Sequence, residues 1–242
     1  MLSTVEVKDV CKRFGSTQVI NHCGFKLYEG EIYGLLGING AGKTTMMKMI
    51  LGLQKMDAGS ICVLGKEVSD APGYLSEIGN LIENSVFYEH LNAVEILSMH
   101  LMMMQRKADI AEVLHLTGLD GAAEKPVSQY SLGMRQRLGF ARAIIHRPKI
   151  LILDEPLNGL DPIAIMEMRE LMRNLASGGM TILLSSHIIG ELRHTADRIG
   201  ILSNGSIKQE FSVREKISEY GEKFEDYVLN FMRRNEYESV QA

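Results

Sequence analysis

The sequence predicts an α/β fold with a mostly parallel sheet, and three features carry that prediction. Two short runs, the all-apolar Ile150 to Leu153 and the nearly all-apolar Thr181 to Leu184, have the composition of strands buried on both faces. Helical stretches alternate with these runs, the pattern of strand-helix-strand units. A glycine-rich loop stands between a predicted strand, Glu31 to Leu36, and a predicted helix, Thr44 to Leu53.

Val5 to Lys8 alternates apolar and polar residues, and residues 5 to 36 are β-rich throughout. From Ser85 to about Leu119 the pattern turns helical, with Leu91, Val94, Ile96 and Leu97 ahead of Met102, Met103 and Met104, which are taken as packing residues. Ser131 is placed as a helix N-cap and Pro148 as the stop of that helix. A further helix is expected from Ala164 to Ala176, and the charged tail from Ser212 should be helical around Phe224 to Met232.

Composition narrows the function. The chain has 242 residues, a formal charge of -4 and three irregularly spaced cysteines, Cys11, Cys23 and Cys62. That balance gives no electrostatic footprint for nucleic acid. The cysteines fit neither a disulfide framework nor a zinc site and are expected to be small reduced core residues. No apolar run is long enough to cross a bilayer, and the N-terminus lacks the apolar stretch of a signal peptide. The expected location is the cytosol, so any membrane role requires another chain.

Gly37-Ile38-Asn39-Gly40-Ala41-Gly42-Lys43-Thr44 fits G-x-x-x-x-G-K-[ST] at every fixed position, and Thr45 continues it. A helix start offers unpaired N–H groups and the positive end of its dipole to an anion. The glycines let the loop curl around phosphate oxygens. Lys43 is expected at the β- and γ-phosphates and the Thr44 hydroxyl at Mg²⁺. Downstream, Ile150 to Leu153 ends in Asp154 and Glu155. Asp154 is the candidate for positioning Mg²⁺, and Glu155 for polarising the attacking water.

Tyr130-Ser131-Leu132-Gly133-Met134-Arg135-Gln136-Arg137 resembles the signature segment of the ABC ATPases, with Leu132 and Met134 departing from the usual Gly and Gln. Asn158 to Asp161 resembles the loop that crosses the family's dimer interface, Leu184 to His187 its switch-histidine segment, and Phe14 its adenine-stacking aromatic. Residues 78 to 84 stand where the family has a glutamine loop, with Glu83 in place of the glutamine. That glutamate, residues 84 to 91 and Phe224 to Leu229 are similar to the bacitracin-resistance and lantibiotic-immunity cassettes.

The resemblance implies a P-loop NTPase core with a mostly parallel sheet, an N-terminal antiparallel β subdomain and an inserted helical subdomain at about 85–147. Residues 1–242 would form one ATP-binding domain with a helical tail at about 212–242. It implies ATP and Mg²⁺ as cofactors, with Glu83 a third metal ligand beside Thr44 and Asp154. It implies ATP shared between the phosphate loop of one cassette and Ser131 and Gly133 of a second copy, with Glu155, His187 and Lys43 catalytic. An integral membrane permease would dock near Val86, Phe87 and Tyr88 and hold the chain at the inner face of the membrane. Phe87 could equally be buried in the helical subdomain.

The expected function is ATP-driven transport, export of an antimicrobial peptide being the case the resemblance favours. The alternative is a non-transport ABC ATPase. Only 86 residues, 45 to 130, separate Thr44 from Ser131, too few for the long coiled coil of the DNA-repair relatives. A single phosphate loop and an acidic balance are unlike the paired cassettes of translation factors. A phosphotransferase would leave the signature and switch-histidine segments without a purpose.

Overall fold

The computed structural model describes residues 3–68, 72–82 and 86–240. Strands β1 (Ser3–Phe14), β2 (Thr17–Tyr28), β4 (Ala58–Val63) and β5 (Lys66–Glu67) form an antiparallel sheet in the order β2-β1-β4-β5. A second sheet, in the order β10-β9-β3-β8-β7-β6, uses β3 (Ile32–Leu36), β6 (Ile78–Leu81), β7 (Ile150–Asp154), β8 (Thr181–Ser186), β9 (Arg198–Ser203) and β10 (Ser206–Ser212). Its pairs are parallel except β9 with β10. This is the α/β arrangement expected from the apolar runs.

Those runs lack alternation because both faces of the second sheet are covered. The period of two survives in which core each side chain enters. Tyr33, Leu35, Ile150, Ile152 and Leu183 pack with the antiparallel sheet and with Met46, Met47 and Met49 of α1 (Lys43–Ile50). Ile32, Leu36, Leu151, Leu153, Ile182 and Leu184 pack on the opposite face with the remaining helices.

Among the described residues, three α-helices lie between β6 and β7 in sequence: α2 (Ala93–Met104), α3 (Ile110–Leu116) and α4 (Leu132–Ile144). The helical reading of 85 to 119 is therefore two helices. Asn92 starts α2 with a capping box to Glu95, Gln105 ends it at φ 52°, and Asp109 caps α3. Met102 and Met103 are exposed rather than packed, because they sit on the outward face of the last turn of α2. Helix α4 stops at Ile144, ahead of Pro148.

After β7 the chain forms α5 (Pro162–Ser177), and after β8 the short α6 (Ile189–Arg193). Helices α7 (Val213–Tyr220) and α8 (Phe224–Val240) complete the described chain, with Phe224 and Val228 in the core. All three cysteines are free, and Cys23 alone is fully buried.

Candidate active site

Three neighbouring parallel strands bring the site together. The pairs Leu36 with Ser186 and Asp154 with Ser185 align the ends of β3, β8 and β7. The loop after β3, the acids at the end of β7 and the histidine after β8 thus meet at the carboxyl edge of the sheet.

The glycine-rich loop is held from both sides. Gly37 N–H donates to Ser186 O at 3.3 Å, and Ala41 N–H to Ile38 O at 3.2 Å. Lys43 Nζ lies inside the curl and donates to the carbonyls of Gly37 at 2.7 Å and Ile38 at 3.3 Å. Gly42 precedes α1 at φ 103°, and a Cβ there would fall 2.6 Å from Ile20 Cδ1. No side chain caps α1 and its first turn holds no acid, so its amides remain open to an anion.

Asp154 accepts from Thr44 Oγ1 at 2.5 Å through Oδ2 and from Ser185 Oγ through Oδ1. Glu155 leaves the strand at φ 49° and turns its carboxylate elsewhere. Its Oε2 lies 2.9 Å from His187 Nδ1 and 3.4 Å from Asn158 Nδ2. Its Oε1 is buried without a hydrogen bond, 3.3 Å from Lys43 Nζ, an ion-pair distance without bonding geometry. This backbone turn sends the two carboxylates to different partners.

A cleft of about 360 Å³ gathers Phe14, Asn39, Gly40, Gly42, Lys43, Thr44, Thr45, Asp154 and Glu155. Phe14 is 47% exposed at the cleft, with Lys12 Nζ 5.4 Å from its ring centroid, so it does not serve the core. Ser131 and Gly133 line a different cleft, with Asp161 and Arg137. Ser131 caps α4, accepting from Met134 N–H at 3.2 Å, and Asp161 caps α5. Glu83, the remaining residue expected at the metal, lies outside the described residues.

Sequence reasoning gave no role to Ser185. Its hydroxyl accepts from Glu155 N–H at 3.0 Å while donating to Asp154, so it ties both acids to β8. Its signal is a polar residue at the end of an apolar run, legible only once β7 and β8 are in register. Val19 of β2 also lines the cleft, and nothing in its local pattern distinguishes it from a core valine.

A profile of the ABC transporter family matches residues 20–158, from strand β2 to the loop beyond Glu155. The chain is 42% identical over 214 residues to the bacitracin transport ATP-binding protein BcrA of Bacillus licheniformis, covering 87% of this chain and 70% of that one. The chain belongs to the ABC transporter family. It is an ATP-binding subunit of that family, and ATP hydrolysis is its reaction.

This cassette is also 39% identical over 233 residues to the lantibiotic transport ATP-binding protein SrtF of Streptococcus pyogenes, covering 95% of this chain and 100% of that one. Among solved structures it is similar to an ABC transporter ATP-binding subunit at TM-score 0.81 and 31% identity, over 90% of this chain and 93% of the other. A dimeric cassette in a post-hydrolysis state with ADP and Pi matches at TM-score 0.79 and 26% identity, over 87% and 99%.

Proposed function

We propose that this ABC cassette works in pairs, with each ATP held between one copy's phosphate loop and the other copy's Ser131 helix start. The observation carrying this reading is the separation of the two half-sites. Phe14, the loop, Asp154 and Glu155 share one cleft, while Ser131 and Gly133 line another. Among the described residues, Ser131 Oγ takes only the Met134 N–H. The first turn of α4 contains no acid and Leu132 is exposed, which leaves the other amides of that helix start open to an anion from outside. The dimeric relative with ADP and Pi supports the same assembly.

Lys43 and the amides of residues 40 to 45 bind the phosphates, and Phe14 stacks on the adenine. The donor set at Thr44 and Asp154 is all oxygen, which suits Mg²⁺, an ion that takes few protein ligands and keeps its waters. Glu83 joins them on sequence grounds alone. When bound, Mg²⁺ neutralises charge on the β- and γ-phosphates. Glu155 accepts the proton of the attacking water, and His187 holds that carboxylate and faces the γ-phosphate.

In this reading residues 1–242 form one cassette, with a helical subdomain near 85–147 and a tail from about 212. The transporter's membrane part is a separate permease, since among the described residues no helix is long and apolar enough to cross a membrane. A cleft of about 440 Å³ lined by Val86, Phe87, Tyr88, Met99 and Met103 suits a permease segment, and docking there would hold the cassette at the inner face of the membrane. Val86 and Tyr88 are exposed, whereas Phe87 is buried, so it forms the floor. The likeness to BcrA and SrtF, named for bacitracin and lantibiotic transport, supports an antimicrobial peptide as cargo, and export is the direction that would give immunity to it.

The test is Glu155→Gln. It should bind Mg-ATP, lose turnover and accumulate as a dimer in light scattering. Hydrolysis at the parent rate would remove Glu155 as the base, and a nucleotide-loaded monomer would refute the shared site.

A further inference from the structure

One ion pair ties the segment that lines the docking cleft, Val86 to Tyr88, to the helix that begins at Ser131. Arg135 donates from Nη1 to Glu89 Oε1 and from Nη2 to Glu89 Oε2, both at 2.7 Å. Nη2 also donates to Val127 O at 2.9 Å. A planar fork on a carboxylate fixes direction as well as distance. Backbone bonds run alongside it: Ser128 N–H donates to Glu89 O and Val127 N–H to Leu91 O, each at 2.9 Å.

Both ends of this link lead to surfaces the cassette needs. Arg135 N–H donates to Ser131 O at 3.0 Å, so the guanidinium is rooted one turn from the hydroxyl that caps α4. Glu89 follows directly on Val86, Phe87 and Tyr88. Arginine in the first turns of a helix faces the positive end of the dipole, an unfavourable place that a carboxylate offsets. The pair is solvent-accessible, so its energetic effect on folding is small. Its geometry, not its stability, is what it contributes.

We propose that Glu89 and Arg135 are a positioning pair: they set the direction in which α4 presents Ser131 and Gly133 to the ATP of a second copy, and join that face to the strip at Val86–Tyr88. The proposal rests on the shared-ATP reading above. It gives neither residue contact with nucleotide; Arg135 acts through Ser131, and Glu89 through Arg135.

The experiment measures Mg-ATP-driven dimerisation in the Glu155→Gln background by analytical ultracentrifugation, comparing Glu89→Gln, Arg135→Gln and the swap Glu89→Arg with Arg135→Glu. An exposed pair of this kind changes an equilibrium by about two- to fivefold, and a dimer holds two, so each single variant should weaken dimerisation about four- to twenty-five-fold. The swap should recover part of that loss. Binding of a fluorescent ATP analogue to the monomer should stay at the parent value and the melting temperature should change little, so the loss is confined to dimerisation. Parent-like dimerisation by Glu89→Gln, or a swap no better than its single variants, overturns the proposal alone. Failure of the Glu155→Gln parent to dimerise overturns the shared-ATP reading and this proposal with it.

Discussion

His187 Nδ1 stands 2.9 Å from Glu155 Oε2, although the two residues follow different strands and are 32 positions apart. The contact depends on β7 and β8 being neighbours in register and on the turn of Glu155 to φ 49°. It gives the carboxylate a fixed partner on the side away from Lys43, so the group proposed as the base is oriented before a nucleotide enters.

Replacing His187 by Ala should therefore damage the chemical step more than binding. Loss of a positioned acid–base partner typically costs on the order of a hundredfold or more in rate. Turnover at saturating ATP should fall by about that factor, while monomer affinity for a fluorescent ATP analogue changes little. A matched loss in both would place His187 in binding alone.

The Thr44–Asp154 contact at 2.5 Å predicts a metal phenotype. Asp154→Asn keeps the shape of the side chain but removes the charge that would hold Mg²⁺ and its waters. The Mg²⁺ concentration for half-maximal hydrolysis should rise about tenfold or more. Mn²⁺, which binds most oxygen and nitrogen sites less tightly than other transition metals but is more tolerant in geometry than Mg²⁺, should restore part of the rate. An unchanged Mg²⁺ titration would remove Asp154 from the metal site.

Gly42→Ala tests the curl of the phosphate loop. Its φ of 103° is strained for any other residue, and the new Cβ would also meet Ile20 Cδ1 at 2.6 Å and Val19 O at 3.0 Å. The strain alone is worth about 1–3 kcal/mol. A lower urea midpoint and weaker ATP binding should appear together, because the same backbone turn aims the amides of α1. Normal affinity in a folded variant would mean that the loop tolerates another path.

What the sequence made legible was the part governed by strong local rules. Strands β3, β7 and β8 read as apolar runs because both faces are covered, and the loop before Lys43 carries fixed glycines. Pairings across the sheet were not legible, so Ser185 was passed over despite touching both acids. The break in the helical stretch was missed because Gln105 adopts a left-handed turn without glycine to announce it. Met102, Met103 and Phe87 show a different limit: hydrophobicity alone does not say which side of a helix or loop faces a core.

A final prediction concerns the floor of the docking cleft, where His100 Nε2 lies 3.2 Å from His146 Nδ1 and His146 Nε2 lies 3.2 Å from Ile78 O. A carbonyl can only accept, so His146 carries its proton on Nε2 and takes one hydrogen bond from His100. Burial, followed by the electrostatic influence of His146 and Arg142, lowers the pKa of His100 to about 4. Burial likewise lowers that of His146, assisted by Arg106 and opposed by the Ile78 carbonyl and Glu77. Unfolded imidazole binds protons near pH 6.5, so between pH 6.5 and about 4 the unfolded chain takes up protons that the folded chain refuses. Stability from this pair is present above pH 6.5 and is lost as pH falls towards 4. His100→Gln keeps a donor for His146 but does not titrate, so its urea midpoint should fall less steeply over that range than the parent's. Parallel curves for the two proteins would show that His100 carries no part of the acid sensitivity.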